Sequence, residues 1–207
     1  MRILALAAAG LLAILAACMP GADIATSPVS APMPPVEHRR AVVGDAYLLE
    51  RKDGSRFTVT IKSVAADRVE LETSSGCKAT LRRDAFAPDL AWDNCSGSSG
   101  TQTSKRIGGS IFPLTLESTE AWEYSGSNTR GNSWESTRTC KVVGEVRVTV
   151  PAGTFDTYHV RCEDRWWVRE WFVRADGVPV QIARTRKNGP VDRNRLRKLV
   201  SFTPGVS

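Results

Sequence analysis

Five cysteines and only two histidines make up the reactive inventory of this chain. Cys77, Cys95, Cys140 and Cys162 form an even set, which in an oxidising compartment reads as two disulfides with three pairings open. Joining Cys77 to Cys95 and Cys140 to Cys162 keeps each bridge within one local strand–turn unit and closes a short loop. Zinc is the competing chemistry, and the spacing argues against it. There is no C-x-x-C pair, and His38 and His159 lie far from any ligand-spaced cysteines, so no metal site is expected. Nor is there a G-x-S-x-G elbow, a phosphate loop or a dinucleotide fingerprint. The serines of Ser96-Gly97-Ser98-Ser99-Gly100 have the composition of a linker. His159 sits mid-strand between Tyr158 and Val160, where a structural role is the ordinary one. Glu163-Asp164 falls beside Arg161 and Arg165, where local charge pairing suffices. The expectation is a non-enzyme with no catalytic residues and no cofactor.

Binding chemistry has more to offer. Arg193, Arg195 and Arg197 alternate, so on a strand they project from one face, with Arg184, Arg186, Lys187 and Lys198 nearby. Such a stripe suits an anion: a lipid phosphate, a lipopolysaccharide or a cell-wall carboxylate. It would equally serve as a solvated face that protects an edge strand. Trp167 and Trp171 share one strand face with Arg169 and Val173, while Trp166 and Phe172 fall on the other. Aromatics on both faces exceed the needs of a one-sided sheet, and the concave side is a candidate apolar or glycan-stacking cavity.

The remaining cysteine, Cys18, has a different context. Arg2 precedes an unbroken apolar run from Ile3 to Ala17, a secretory signal too short for a confident membrane span. Leu15-Ala16-Ala17-Cys18 resembles the bacterial lipobox, so residues 1–17 are expected to be cleaved and Cys18 to carry diacylglycerol and a palmitate-type acyl chain. Met19 is not the aspartate that commonly retains lipoproteins at the inner membrane, which favours the outer membrane facing the periplasm. Five prolines between Pro20 and Pro35 give residues 18–43 the look of a lipidated tether.

From Asp45 onward, short alternating runs are punctuated by turns. Phe57, Val59 and Ile61 oppose Thr58, Thr60 and Lys62, and Asp53-Gly54 marks a hairpin. Val146, Val148 and Val150 oppose Arg147 and Thr149, and Ala175-Asp176-Gly177 is a further turn. Helical signal is almost absent. The predicted fold is all-β, an antiparallel meander curled into a half-barrel or barrel that hides its edges. The division expected is a β lobe over 44–95, a Gly/Ser-rich linker over 96–109, and a second β lobe over 110–203. Charge is uneven as well: residues 130–207 carry 15 basic and 8 acidic groups, against 12 and 14 over 19–129.

Val148-Thr149-Val150-Pro151-Ala152-Gly153-Thr154-Phe155, followed by Trp171-Phe172-Val173-Arg174 and Gly177-Val178-Pro179-Val180, resembles a group of uncharacterised exported bacterial β proteins. Some of these are labelled TapB-like and are compared with the half-barrel of the lipoprotein carrier LolA. The resemblance covers roughly residues 140–186 and implies a curved antiparallel sheet in the periplasm, with no site residues to carry over. Physically, Pro151 ends its strand, Gly153 permits a positive φ, and Phe155 caps the core beside the turn.

The functional expectation is a lipid-anchored envelope protein that binds or carries an apolar or anionic component. An alternative is a structural lipoprotein docking an envelope protein complex. An inhibitor of lysozyme is a third, disfavoured because the basic C-terminal half would repel a cationic enzyme. Nucleic acid suits the charge but not the compartment.

Overall fold

The computed structural model describes residues 24–188 and 195–206. No helix occurs among them, and thirteen strands make one antiparallel sheet. The strands are β1 (Thr26–Pro28), β2 (Ala46–Arg51), β3 (Arg56–Val64), β4 (Arg68–Thr73), β5 (Lys78–Arg82), β6 (Ala91–Asp93) and β7 (Gly100–Gly109). Then follow β8 (Thr119–Asn128), β9 (Ser133–Val150), β10 (Gly153–Glu163), β11 (Trp167–Arg174), β12 (Pro179–Arg186) and β13 (Arg197–Thr203). Each strand from β2 to β12 pairs with its sequence neighbour, and β13 returns to pair with β2, which closes a twelve-stranded barrel. The thirteenth strand, β1, lies along the free part of β9 beyond the end of β8, with Thr26 opposite Val148.

The pleat explains most of this. On β3 the register places Val59 and Ile61 in a row with Tyr47 on one side and Leu71 on the other. β9 is long enough to pair with β8 through its first half and β10 through its second. A bulge near Val142–Gly144 lets it bend between the two. Pro151 ends β9, Gly153 has a φ of +133°, and Phe155 packs beside Val148 and Val150, as the turn motif requires. The disulfides are Cys77–Cys95 and Cys140–Cys162; the second joins directly opposed residues of β9 and β10 and is fully buried.

Two expectations are corrected. Composition assigns residues 96–109 to a linker, yet Gly100–Gly109 is a barrel strand, so the sheet runs unbroken through both expected lobes. Glycines of β7 and of its neighbour β8 serve packing. A Cβ on Gly100 would lie 2.4 Å from the Trp92 ring, and one on Gly126 2.8 Å from Trp134. Bare backbone is what lets these two indoles stack, with centroids 5.8 Å apart.

Residues 24–43 are likewise no free spacer. Val36 exchanges backbone hydrogen bonds with Leu114 (3.1 and 2.8 Å) and is buried among Phe86, Ile111 and Tyr158. The Tyr158 hydroxyl donates to the Met33 carbonyl at 3.1 Å. Asp45, fully buried, accepts from both the Arg39 guanidinium and the backbone N–H groups of Val42 and Gly205. Proline discourages helix and sheet but not docking, and Met33 and Val36 supply the apolar anchors. Residues 1–17 and Cys18 lie outside the described residues.

Candidate functional site

One face of the sheet can be followed around the barrel by register. It carries Ile61, Leu71, Ala79 and Trp92, then Trp122, Arg138, Cys140, Cys162 and Arg169. On β4, β8 and β9 the opposite face holds Glu70, Glu123, Ser125 and Glu135, all exposed, so there the first face lines the interior; on β11 and β12 the other face is covered as well, with Glu170, Phe172, Gln181 and Ala183 buried.

That inner face collects arginines. Arg169 on β11 is paired with Arg184 on β12, and Arg184 exchanges backbone hydrogen bonds with Arg195. Two residues on, Arg197 is paired with Arg51 of β2. Arg138 of β9 completes the row and is 5% exposed. Five of them run as a belt across β11, β12, β13 and β2, and Arg138 lies beyond β10, which contributes Cys162 to this face. Arg195 and Arg51 are exposed and mark its solvent-facing part.

Aromatic rings hold these cations in place. The Arg184 guanidinium lies 3.8 Å from the centroid of Trp167. Arg51 and Arg197 both stand over Phe57, at 4.0 and 5.7 Å, and Arg138 stands over Tyr124 at 5.4 Å. Counter-charge is sparse. Asp164 pairs with Arg169 and accepts from the Tyr124 hydroxyl at 2.8 Å. Its other oxygen takes the backbone N–H groups of Trp166 and Trp167. Arg138 donates to the Phe86 carbonyl at 3.1 Å, in the loop between β5 and β6 that also brings exposed Asp89 to the belt.

The electrostatics follow from this imbalance. Burial, reinforced by the charges of Arg169 and Arg195, pushes Arg184 down to about 9. Burial and Arg169 push Arg138 down to about 10. Arg197 is lowered by burial and by Arg195 and Arg51. All remain charged at neutral pH. Burial alone would raise the Asp164 carboxyl, but Arg169 and the hydrogen bonds it accepts outweigh that and hold it below the carboxylate range. The Nε atoms of Arg138 and Arg184 are buried with no partner among the described residues. A buried guanidinium without a carboxylate is costly to keep, and its N–H groups are preset for an oxyanion.

Of the residues singled out by sequence, Trp167, Trp171, Arg195 and Arg197 fall on this one face. Arg193 lies outside the described residues. Arg51 and Arg138 were not marked, since only the register brings those strands to the same wall; Arg169 and Arg184 could be found by noticing that they alternate with Trp167 and Trp171 or flank the arginine stripe. His159 is held by Glu170 (3.0 Å) and stacks on Phe172. Glu163 pairs with Arg161 and Lys187, whereas Asp164 reaches Arg169 rather than its immediate sequence neighbours. An open groove of about 790 Å³ lies elsewhere, beside Trp92. It mixes Lys62 and Lys78 with Glu70, Glu72 and Asp93 and so has no preference for one sign of charge. No cluster of metal-ligating side chains occurs among the described residues, and no described helix is long and apolar enough to cross a membrane.

No family model matches the chain, and no curated protein matches it. Solved structures do. The hypothetical lipoprotein YmcC of Escherichia coli (K12) superposes over 79% of this chain and 86% of its own, with a TM-score of 0.51 at 10% identity. The fold is YmcC-like. A Bacteroides fragilis NCTC 9343 chain described as having a YmcC-like fold aligns over 81% of this chain and 99% of its own, at 10% identity and a TM-score of 0.42. The likeness to YmcC is one of architecture and carries no site residue across. The TapB-like resemblance rests on the turn motif alone.

Proposed function

We propose that this chain is a bacterial envelope lipoprotein, anchored through Cys18 at the outer membrane and facing the periplasm, whose barrel interior binds an anionic envelope component without catalysis. The observation that supports this most directly is Arg184, enclosed on the inner face between Arg169 and Arg195, stacked on Trp167, with a buried Nε that has no partner among the described residues. Stability gives no reason to gather like charges in one wall, since replacing such groups with apolar ones generally stabilises a fold. An anion supplies the reason. The lipobox-like Leu15-Ala16-Ala17-Cys18 supports the anchor, and the paired cysteines suit an oxidising compartment.

The test is native mass spectrometry of the mature chain purified from a periplasm, followed by phosphate and citrate titration with unfolding temperature as the readout. A co-purifying anionic mass, or a rise in unfolding temperature that Arg184→Gln abolishes, is expected. A clean polypeptide mass with no anion-dependent stabilisation would overturn the reading. The mass of the N-terminal peptide from a membrane fraction tests the anchor independently, and an unmodified Cys18 would refute it.

A further inference from the structure

We propose that the arginine belt takes a linear polyanion, a run of phosphate or carboxylate groups, rather than a single anion. This rests on the anion-binding reading above and assigns it a ligand class. The first ground is the length of the belt. Arg169, Arg184, Arg197 and Arg51 sit on four successive strands, β11, β12, β13 and β2. At about 4.8 Å between strands, three steps span about 14 Å. Arg138, two strands further along on β9, extends the row to about 24 Å. One phosphate or carboxylate engages one or two guanidiniums and would leave the others facing each other.

The second ground is how the charges are already used. Asp164 neutralises Arg169 at one side. Arg184, Arg195 and Arg197 make no side-chain ion pair among the described residues, and Arg51 donates only to the Ser55 hydroxyl at 3.2 Å. The unspent cations are therefore contiguous. The third ground is their presentation. Phe57 receives Arg51 and Arg197 on its ring and Trp167 receives Arg184, so the guanidinium planes are fixed by stacking. Their N–H edges remain for ligand oxygens, at separations set by the sheet rather than by mobile side chains. Repeated anionic groups on one chain match repeated cations on one wall.

The experiment uses the mature chain with Cys18→Ser, so that no lipid obscures binding. Calorimetric titration compares inorganic phosphate, tripolyphosphate, an oligogalacturonate, and vesicles of phosphatidylglycerol in phosphatidylcholine. Linking the charges should make tripolyphosphate or the oligogalacturonate bind about 100-fold more tightly than phosphate. Affinity should weaken steeply with salt. Arg184→Gln and Arg197→Gln should each lose about tenfold, while Arg174→Gln, whose partner is Asp176 at the β11–β12 turn, changes nothing. Equal affinity for phosphate and tripolyphosphate would overturn the polyanion and leave the anion site standing. Binding to anionic vesicles with both soluble polyanions inert would overturn it in favour of a lipid headgroup. Silence from every probe would remove the anion-binding reading with it.

Discussion

Replacing Arg184 with methionine should make the ligand-free protein more stable and its anion binding worse. The guanidinium is driven from its ordinary range to about 9, chiefly by burial and then by Arg169 and Arg195. At 1.36 kcal/mol per pH unit that displacement corresponds to about 4–5 kcal/mol of destabilisation by the charged form. Methionine removes the charge and keeps an apolar stem, but gives up stacking on Trp167, worth about 1–2 kcal/mol. A net gain of about 2–4 kcal/mol remains, or about 6–12 °C at roughly 3 °C per kcal/mol for a domain of this size. The sign with pH is fixed. Because the folded-state value lies below the unfolded one, the penalty is present in full below about pH 9 and fades as pH rises through that value. Wild type should therefore close the gap on Arg184→Met between pH 8 and pH 10.5. The assay is thermal unfolding followed by far-ultraviolet circular dichroism at both pH values, with and without tripolyphosphate. A ligand-free variant less stable than wild type at pH 8 would refute the reasoning, since it would mean that Arg184 is a structural residue satisfied by its surroundings.

Asp164→Asn should cost about 3–5 kcal/mol, because it leaves the enclosed Arg169 without its partner. Wild type should lose this advantage as pH falls through the depressed Asp164 value, so urea midpoints of the two proteins converge in acid. Val36→Ala should destabilise by about 2 kcal/mol in the same assay, whereas a residue in a free tether would register nothing. Under mild reductant at native pH, mass spectrometry of alkylated peptides should find half-exposed Cys77–Cys95 opened before buried Cys140–Cys162. Each pair replaced by serines should cost about 3 kcal/mol, for loops spanning 18 and 22 residues.

The parts of the fold legible in the sequence are those where neighbouring residues settle the matter. Alternation over Phe57, Val59 and Ile61, the Asp53-Gly54 turn, and the Pro151–Gly153 corner each declare a strand or its end within a few positions. Both disulfides follow from the same locality. Composition misled where a distant group decides. Gly100 looks like a linker glycine until Trp92 is seen lying against it. Val36 looks like a stray apolar residue among prolines until Leu114, far along the chain, supplies its hydrogen bonds. The site shows the same division. Trp167 and Trp171 could be placed on one face, and so could Arg195 and Arg197, but only the β12–β13 register makes those two faces a single wall. Arg51 joins it through the β13–β2 pairing that closes the barrel and Arg138 through the β9–β10–β11 register, neither of which a local pattern announces.

The docked N-terminal segment also fixes how this molecule would stand. Ile24 already packs against the fold, six positions after Cys18. With Cys18 lipidated, the six residue steps from Cys18 to Ile24 reach at most about 22 Å, a short mooring rather than a long leash. β1 meets β9 at Val148, and Arg138 lies ten residues back along that strand, about 30 Å away. Arg138 is thus far from the moored end, whereas Arg51 and Arg197 stand over Phe57, which shares a buried cluster with Val148 and Ile24. Under the lipid anchor proposed above, the barrel would therefore stay close to the membrane surface.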